Sequence, residues 1–227
     1  MARTLDPVAH ALRRDAFVDA AQRLIQVKGY EQTSLQDVLD EADTSRGAFY
    51  HYFRSKEALL EAVVDRMADG ATATLAPIVA DPGLPALRKL EAVFAGLARW
   101  KAERSELVLA ILRVWLSDEN AVVREKCREL VSIRLAPLLT EIVRQGKAEG
   151  VFTVGSAEHS AAVLVALVQG GQEMASRLFL ARQTNAVSFE DVERAFEAYA
   201  EALERILGLA PGSSTMVDAS TLRFWFA

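Results

Sequence analysis

The stretch TSLQDVLDEADTSRGAFYHYFRSKEAL, Thr33 to Leu59, decides how this chain is read. Ser34 stands where it can cap a short helix, with Asp37 three residues on to favour that helix's positive N-terminus. Leu35, Val38, Leu39 and Ala42 give the helix one apolar face. At Asp43 the chain must turn, and Asp tolerates the left-handed conformation better than most side chains do. Ser45 can cap a second helix, whose Arg46, Ala48, Tyr50 and His51 are small, basic or hydrogen-bonding. Phe49 and Phe53, at i and i+4, hold that helix down. Two short helices joined by a tight turn make the helix-turn-helix plan.

Outward from this stretch, helical spacing continues almost everywhere. Phe17, Ala20, Ala21, Leu24 and Ile25 mark one face of a first helix that stops near Gly29. Leu59, Leu60, Val63, Val64 and Met67 mark a longer one, from Lys56 to about Ala80. Asp81-Pro82-Gly83-Leu84-Pro85 is the clearest loop. Apolar stripes follow at Leu87/Leu90/Phe94/Leu97, at Leu107/Val108/Ile111/Leu112/Trp115, and from Val122 to Val143, where Pro137 predicts a kink or a break. Two more helices are expected over 157–182 and 188–208. After Gly208 comes a Gly/Ser/Pro-rich tail ending in Leu222-Arg223-Phe224-Trp225-Phe226. Such an end either docks on its own subunit, on a partner or in a pocket, or stays disordered. No segment alternates as a strand does, and the chain is predicted to be all-α.

Composition narrows the function classes. No run reaches the ~18 apolar residues of a spanning helix and the N-terminus has no apolar signal run, so a cytoplasmic protein with no membrane association is expected. Cys127 is the single cysteine, which rules out an intrachain disulfide and a cysteine-based zinc site. His10, His51 and His159 are too scattered for a metal site, and no cofactor is expected. An enzyme is not expected either: there is no Gly-rich phosphate loop, no H-E-x-x-H and no G-x-S-x-G. An all-α enzyme with scattered catalytic residues remains the rival from that class. The net charge of −5 argues mildly against nucleic acid, but residues 1–56 hold 8 basic and 8 acidic residues and the remainder 18 and 23, so the acidity lies beyond the helix-turn-helix.

The pattern Thr33-Ser34, Ala42, Ser45-Arg46-Gly47, Tyr50, Tyr52-Phe53, Lys56-Glu57 and Leu59, led in by Lys28-Gly29-Tyr30, resembles the DNA-binding signature of the TetR family. The resemblance covers about residues 13–60, and Asp43 stands where the family usually has Gly. It implies a three-helix DNA-binding domain over 1–56, a helical ligand-binding and dimerisation domain over 57–210 and a C-terminal tail over 211–227. Spacing and resemblance together give about nine helices. The family's roles place Thr33, Tyr50, His51 and Lys56 on phosphates and Ser45, Arg46, Gly47 and Ala48 nearest base edges. Arg46 can pair bidentately with guanine and Ala48 can meet a thymine methyl, while Gly47 permits close backbone approach. For Tyr50 and Tyr52 simple packing is the alternative.

The implied partners are double-stranded operator DNA, a second copy of the chain and an unidentified small-molecule effector, the whole acting as a ligand-responsive repressor. A helical interaction protein of the same fold without DNA binding is the other reading. One subunit makes too few phosphate contacts for tight binding, which calls for a homodimer on a palindrome. Its interface is expected at Ala162, Ala166 and Gly170 on one long helix and at Phe189, Val192, Phe196, Tyr199 and Leu203 on the next, unless those stripes are internal core. Phe94, Leu97, Trp100, Leu112, Trp115, Cys127 and Met174 are candidates for an apolar effector cavity, with Arg134 and Gln172 as polar contacts. Ordinary core packing is the alternative for each, and for Arg134 an ion pair or an outward reach to solvent.

Overall fold

The computed structural model describes residues 7–115 and 121–227, with side chains for all of these except 113–115, 122 and 123. Ten helices occur among them: α1 Pro7–Lys28, α2 Leu35–Glu41, α3 Arg46–Tyr50, α4 Lys56–Ala80, α5 Ala86–Ala102, α6 Ser105–Trp115, α7 Ala121–Ala148, α8 Ala157–Gln183, α9 Phe189–Leu207 and α10 Ala219–Phe226. The described residues contain no strand, and no helix among them is long and apolar enough to cross a membrane. The fold is all-α. It divides into two compact units, one drawing on Met1–Ala68 and Arg104–Leu130, the other on Asp69–Glu103 and Val131–Ala227.

In the first unit, local chemistry sets the helix ends. Gly29 takes φ +83° and stops α1. Ser34 and Asp37 form a reciprocal capping box on α2: the Asp37 amide donates to Ser34 Oγ at 3.1 Å and the Ser34 amide donates to Asp37 Oδ2 at 2.6 Å. Lys28, 2.7 Å away, and after it the bonds with Ser34 hold the Asp37 carboxyl well below the usual range. Asp43 turns the chain at φ +44°, as its side chain allows. Ser45 then caps α3, accepting from the Ala48 amide at 3.2 Å. The core beneath joins Phe17, Ile25, Val38, Phe49, Leu59 and Val63 with Leu107 of α6 and Cys127 of α7. Burial, followed by the nearby Glu61 charge, pushes the Cys127 thiol up to about 12 and leaves it an inert core group.

The second unit packs the later part of α4 against α5, α7, α8 and α9 through Leu75, Leu90, Leu139, Ile142, Leu164, Leu203 and Leu207. A Cβ at Gly96 would lie 3.1 Å from Leu75, so α5 approaches α4 closely there. Lys89 donates to the Val79 carbonyl at 2.6 Å and so satisfies one of the last acceptors of α4. No break occurs at Pro137, which lies inside an uninterrupted α7. An interior proline costs about 3 kcal/mol. Leu139, Ile142 and Val143 beside it are 0–1% exposed, and burial of each such side chain returns roughly 1.5–3 kcal/mol, so packing wins.

The tail is ordered and docks on its own chain. α9 ends at Gly208 with φ +71°, and the next residues are caught by two buried carboxylates. Glu204, 2% exposed, accepts from the Gly212 amide at 2.7 Å, the Ser214 amide at 2.9 Å and the Ser214 hydroxyl at 2.7 Å. Glu91 of α5 accepts from the Thr215 amide at 2.9 Å. Asp218 caps α10, whose Leu222 and Phe226 pack into a cluster with Val192, Phe189, Phe196 and Phe179. Arg182 donates to the Phe226 carbonyl at 3.0 Å and to the Val187 carbonyl at 3.1 Å.

Burial by itself raises the Glu204 pKa, but the hydrogen bonds from Ser214 and Gly212 outweigh it and hold the carboxyl below its ordinary value. A depressed carboxylate contributes stability above its unfolded pKa, near 4.3, that is lost as pH falls through the folded value. Glu204→Gln would turn an amide donor toward amide donors. We therefore expect this variant at neutral pH to lose about 1.5–3 kcal/mol and to show fast hydrogen exchange across 212–226. Acidification below the unfolded value, down through the still lower folded one, should have the same effect on the wild type. Unchanged exchange in the variant would show that the carboxylate does not hold the tail.

Candidate nucleic-acid interface

α3 is only five residues long and owes its place to one side. Phe49 has no exposed surface and meets the Phe17 ring edge-on at 5.4 Å, with Phe53 at 5.6 Å from Phe49. Tyr52 packs against Phe17 at 5.7 Å and His10 at 4.6 Å, so for this tyrosine packing is the role seen. With Phe49 inward, Ser45, Arg46, Gly47, Tyr50 and His51 face out, and Ala48 is half-buried. Tyr50 keeps half its surface, 51%, which an ordinary packing tyrosine would not.

Gly47 sharpens the reading of this face. A Cβ there would meet only Ser45 Oγ at 3.9 Å, so nothing inside the protein requires a glycine. Glycine in a helix is destabilising by about 0.5–1 kcal/mol relative to alanine. Its missing side chain leaves room on the outer surface, where a large ligand can bring its backbone or base edges close.

The electrostatics agree with that reading. Arg23 pairs with Glu41 at 2.9 Å, Lys28 with Asp37 at 2.7 Å, and Arg66 with Asp19. Arg46 and Arg54 are exposed and make no ion pair among the described residues. Arg13 and Arg14 of α1 likewise make no ion pair among the described residues, and neither do the acidic Asp40 and Asp43 near α3. Arg54 went unmarked in the sequence pattern; the signal was a basic residue three past His51, beside the outward row. Lys56 is half-buried with Nζ 4.0 Å from the centre of the Tyr30 ring. Burial lowers its pKa, while Glu57, Glu31 and Asp37 oppose the shift. Thr33 does not belong to this surface. It is 2% exposed and its hydroxyl donates to the Gly29 carbonyl at 2.7 Å, so a phosphate could reach it only by opening the turn it closes.

The expected dimer and effector residues divide. Ala162, Ala166 and Gly170 lie exposed on the outer side of α8, and a Cβ at Gly170 would meet nothing. Val192 and Leu203 are corrected to core: each has no exposed surface in the single chain, and a side chain that is already enclosed cannot meet a partner. Phe189 and Phe196 pack with the α10 cluster, and Tyr199 lies on Gly171, where a Cβ would fall 2.5 Å from the ring. Among effector candidates, Phe94, Leu97, Trp100, Arg134, Gln172 and Met174 belong to the second unit, whereas Leu112 and Cys127 belong to the first. The Trp115 side chain lies outside the described residues. Arg134 pairs with Asp69 at 2.5 Å. No group of three or more metal-ligating side chains occurs among the described residues.

Comparison with known proteins places this geometry. Residues 17–63 match the family described as bacterial regulatory proteins, tetR family. An uncharacterised HTH-type transcriptional regulator of Lactococcus lactis subsp. lactis is 44% identical over 52 residues, 23% of this chain and 26% of its own length. The HTH-type transcriptional repressor DhaR of Mycobacterium sp. (strain GP1) is 30% identical over 84 residues, 37% of this chain and 42% of that protein. The chain thus spans less than half the length of these curated relatives. In fold the likeness runs nearly end to end. RolR, solved without ligand and in complex with resorcinol, superposes in its ligand-free form with a TM-score of 0.62 at 16% identity, covering 92% of this chain and 95% of that one. Residues 17–63 thus carry the DNA-binding domain of the tetR family of bacterial regulatory proteins, and the chain as a whole shares the all-α fold of RolR.

Proposed function

We propose that the protein is a cytoplasmic repressor that binds a palindromic operator as a homodimer and is released by a small organic effector. Residues 1–56 serve as the DNA-reading part, 57–210 as the effector and dimer part, and 211–227 as a tail that completes the second. The observation that carries this reading is the outward face of α3, with Gly47 over open space and Arg46 and Arg54 unpaired. Arg46, Ser45, Gly47 and Ala48 read base edges; Tyr50, His51, Arg54 and Lys56 bind phosphate oxygens. Thr33 holds the turn that presents them. Two such helices in a dimer must lie roughly 34–36 Å apart to enter successive major grooves. An effector that binds better to a state with a different separation releases the operator, and α4 is the element through which that preference acts.

The dimer seam is proposed on the outer side of α8. Ala162, Ala166 and Gly170 let a symmetry mate approach closely, and Val163 and Leu180, 48% and 37% exposed, add apolar area on that helix.

Binding to DNA from just upstream of the coding region tests the reading. The wild type should bind tightly and weaken with salt, and Arg46→Ala with Tyr50→Ala should abolish binding. Gly47→Ala should raise stability by about 0.5–1 kcal/mol yet weaken operator binding at least about tenfold, or 1.4 kcal/mol. A Gly47→Ala protein that binds as well as wild type would show that α3 is not the reading helix. For the seam, Ala166→Arg should convert the dimer to a helical, folded monomer in light scattering. A persistent dimer would move the interface elsewhere.

A further inference from the structure

Two cations of the first unit are seated on aromatic rings. Lys56 Nζ lies 4.0 Å from the centre of the Tyr30 ring, and the Arg14 guanidinium lies 5.3 Å from that of Phe53. Neither makes an ion pair among the described residues, whereas Arg23, Lys28 and Arg66 are each tied to a carboxylate. The two kinds of support differ in what they leave for a ligand. A carboxylate fixes a cation and cancels its field. An aromatic face attracts the cation through the ring quadrupole, holds it in place and leaves its charge whole.

The Tyr30 seat is rigid because of the chain around it. Its ring is 7% exposed and belongs to the core cluster of Phe17, Ile25 and Phe49. Its backbone sits in a turn closed twice by Thr33, whose amide donates to the Tyr30 carbonyl at 3.1 Å and whose hydroxyl donates to the Gly29 carbonyl at 2.7 Å. Three carboxylates lie near Lys56, and two of them are drawn elsewhere. Asp37 is engaged by Ser34 and Lys28, and Glu57 by the Ser55 hydroxyl. The third, Glu31, makes no ion pair with Lys56. The ammonium is therefore held by the ring, while Lys56 as a whole retains open surface. An unsupported lysine must order a four-carbon stem each time it meets a phosphate; a seated one has less to lose.

We infer that Tyr30 is a positioning residue for DNA binding, its ring holding the Lys56 ammonium ready for a phosphate oxygen with the charge uncancelled. This rests on the reading of the first unit as the DNA-binding part and adds to it a residue that does not itself touch the duplex. It also gives Thr33 a part at one remove, since Thr33 closes the turn that fixes the ring.

The seat is tested on the DNA-free full-length protein by nuclear magnetic resonance. The Tyr30 ring current should shift the Lys56 side-chain methylene protons upfield, a shift that persists in Tyr30→Phe and disappears in Tyr30→Leu. The role is tested by a double-mutant cycle on a duplex of arbitrary sequence, about 30 base pairs long and at low salt, because phosphate contacts do not read sequence. Lys56→Gln should weaken binding and lower the salt slope by about 0.9 for each bound subunit. Tyr30→Phe should bind like the wild type, and Tyr30→Leu should bind about threefold more weakly. In the Lys56→Gln background, Tyr30→Leu should have no further effect. Tyr30→Met, apolar and without a ring, repeats the cycle should leucine unfold the unit. A tyrosine that only supports the fold would weaken binding by the same factor in both backgrounds. That result, an absent ring shift, or a loss in Tyr30→Phe as large as in Tyr30→Leu would overturn the positioning role. A wild type that showed the ring shift yet bound no duplex would instead sink the DNA-binding reading, and this role with it.

Discussion

The first unit depends on a single contact, the burial of Phe49 against Phe17. A five-residue helix has too few internal hydrogen bonds to persist by itself, because nucleation uses up most of what it forms. Phe49 converts that fragment into part of the core. Its enclosure fixes the rotation of α3, and the rotation determines which residues face outward: Arg46, Gly47, Tyr50 and His51 on one side, Phe49 and Phe53 on the other. The same ring stack closes the unit, since Phe53 meets both Phe17 and Phe49 and carries Arg14 over its face at 5.3 Å. The outward display of these residues and the folding of the unit are thus two sides of one short helix.

A chain of net charge −5 can still present a surface suited to an anion, because local placement outweighs the total. The pairs Arg23–Glu41, Lys28–Asp37 and Arg66–Asp19 remove three carboxylates from consideration around α2 and α4. They are surface pairs worth little in stability, of the order of 0–1 kcal/mol each. Their consequence is arrangement: Glu41, Asp37 and Asp19 are tied to cations away from α3, and Arg46 and Arg54 remain without ion-pair partners among the described residues. The acidity of the second unit is handled differently, by turning Glu204 and Glu91 inward to receive backbone amides from the tail.

What was legible in the sequence follows the range of the forces involved. Caps are local, so Ser34, Asp37 and Ser45 could be read from spacing, as could the left-handed turn at Asp43. The ends of α4 at Lys56 and Ala80 follow from the Ser-containing turn before it and the proline-rich loop after it. Periodicity shows that a helix has an apolar face but not what covers it. Val192, Phe196 and Leu203 were visible as a stripe and read as a seam between subunits, whereas Val192 and Phe196 meet the chain's own C-terminal helix and Leu203 lies in the main core. At Pro137 the helix does not break, since the local penalty is set against packing that the sequence does not display. Thr33 failed on burial: a threonine in a DNA-binding motif looks like a phosphate ligand until its hydroxyl is found committed to Gly29.

The fate of the α9 stripe also bears on how two copies can meet. α8 distributes its small residues over two sides with different purposes. Ala161 and Gly171 face inward, and Gly171 is obligatory there because the Tyr199 ring occupies the space of a side chain. Ala162, Ala166 and Gly170 face outward with nothing above Gly170. On α9 the aromatic side is taken up by α10 and α8, and its open side carries Glu190, Arg194, Glu201 and Arg205 in i,i+4 ion pairs. An isologous seam needs close approach over apolar surface. Of the two helices, only α8 still offers apolar surface of that kind once the tail is docked, because the C-terminal helix covers the aromatic side of α9.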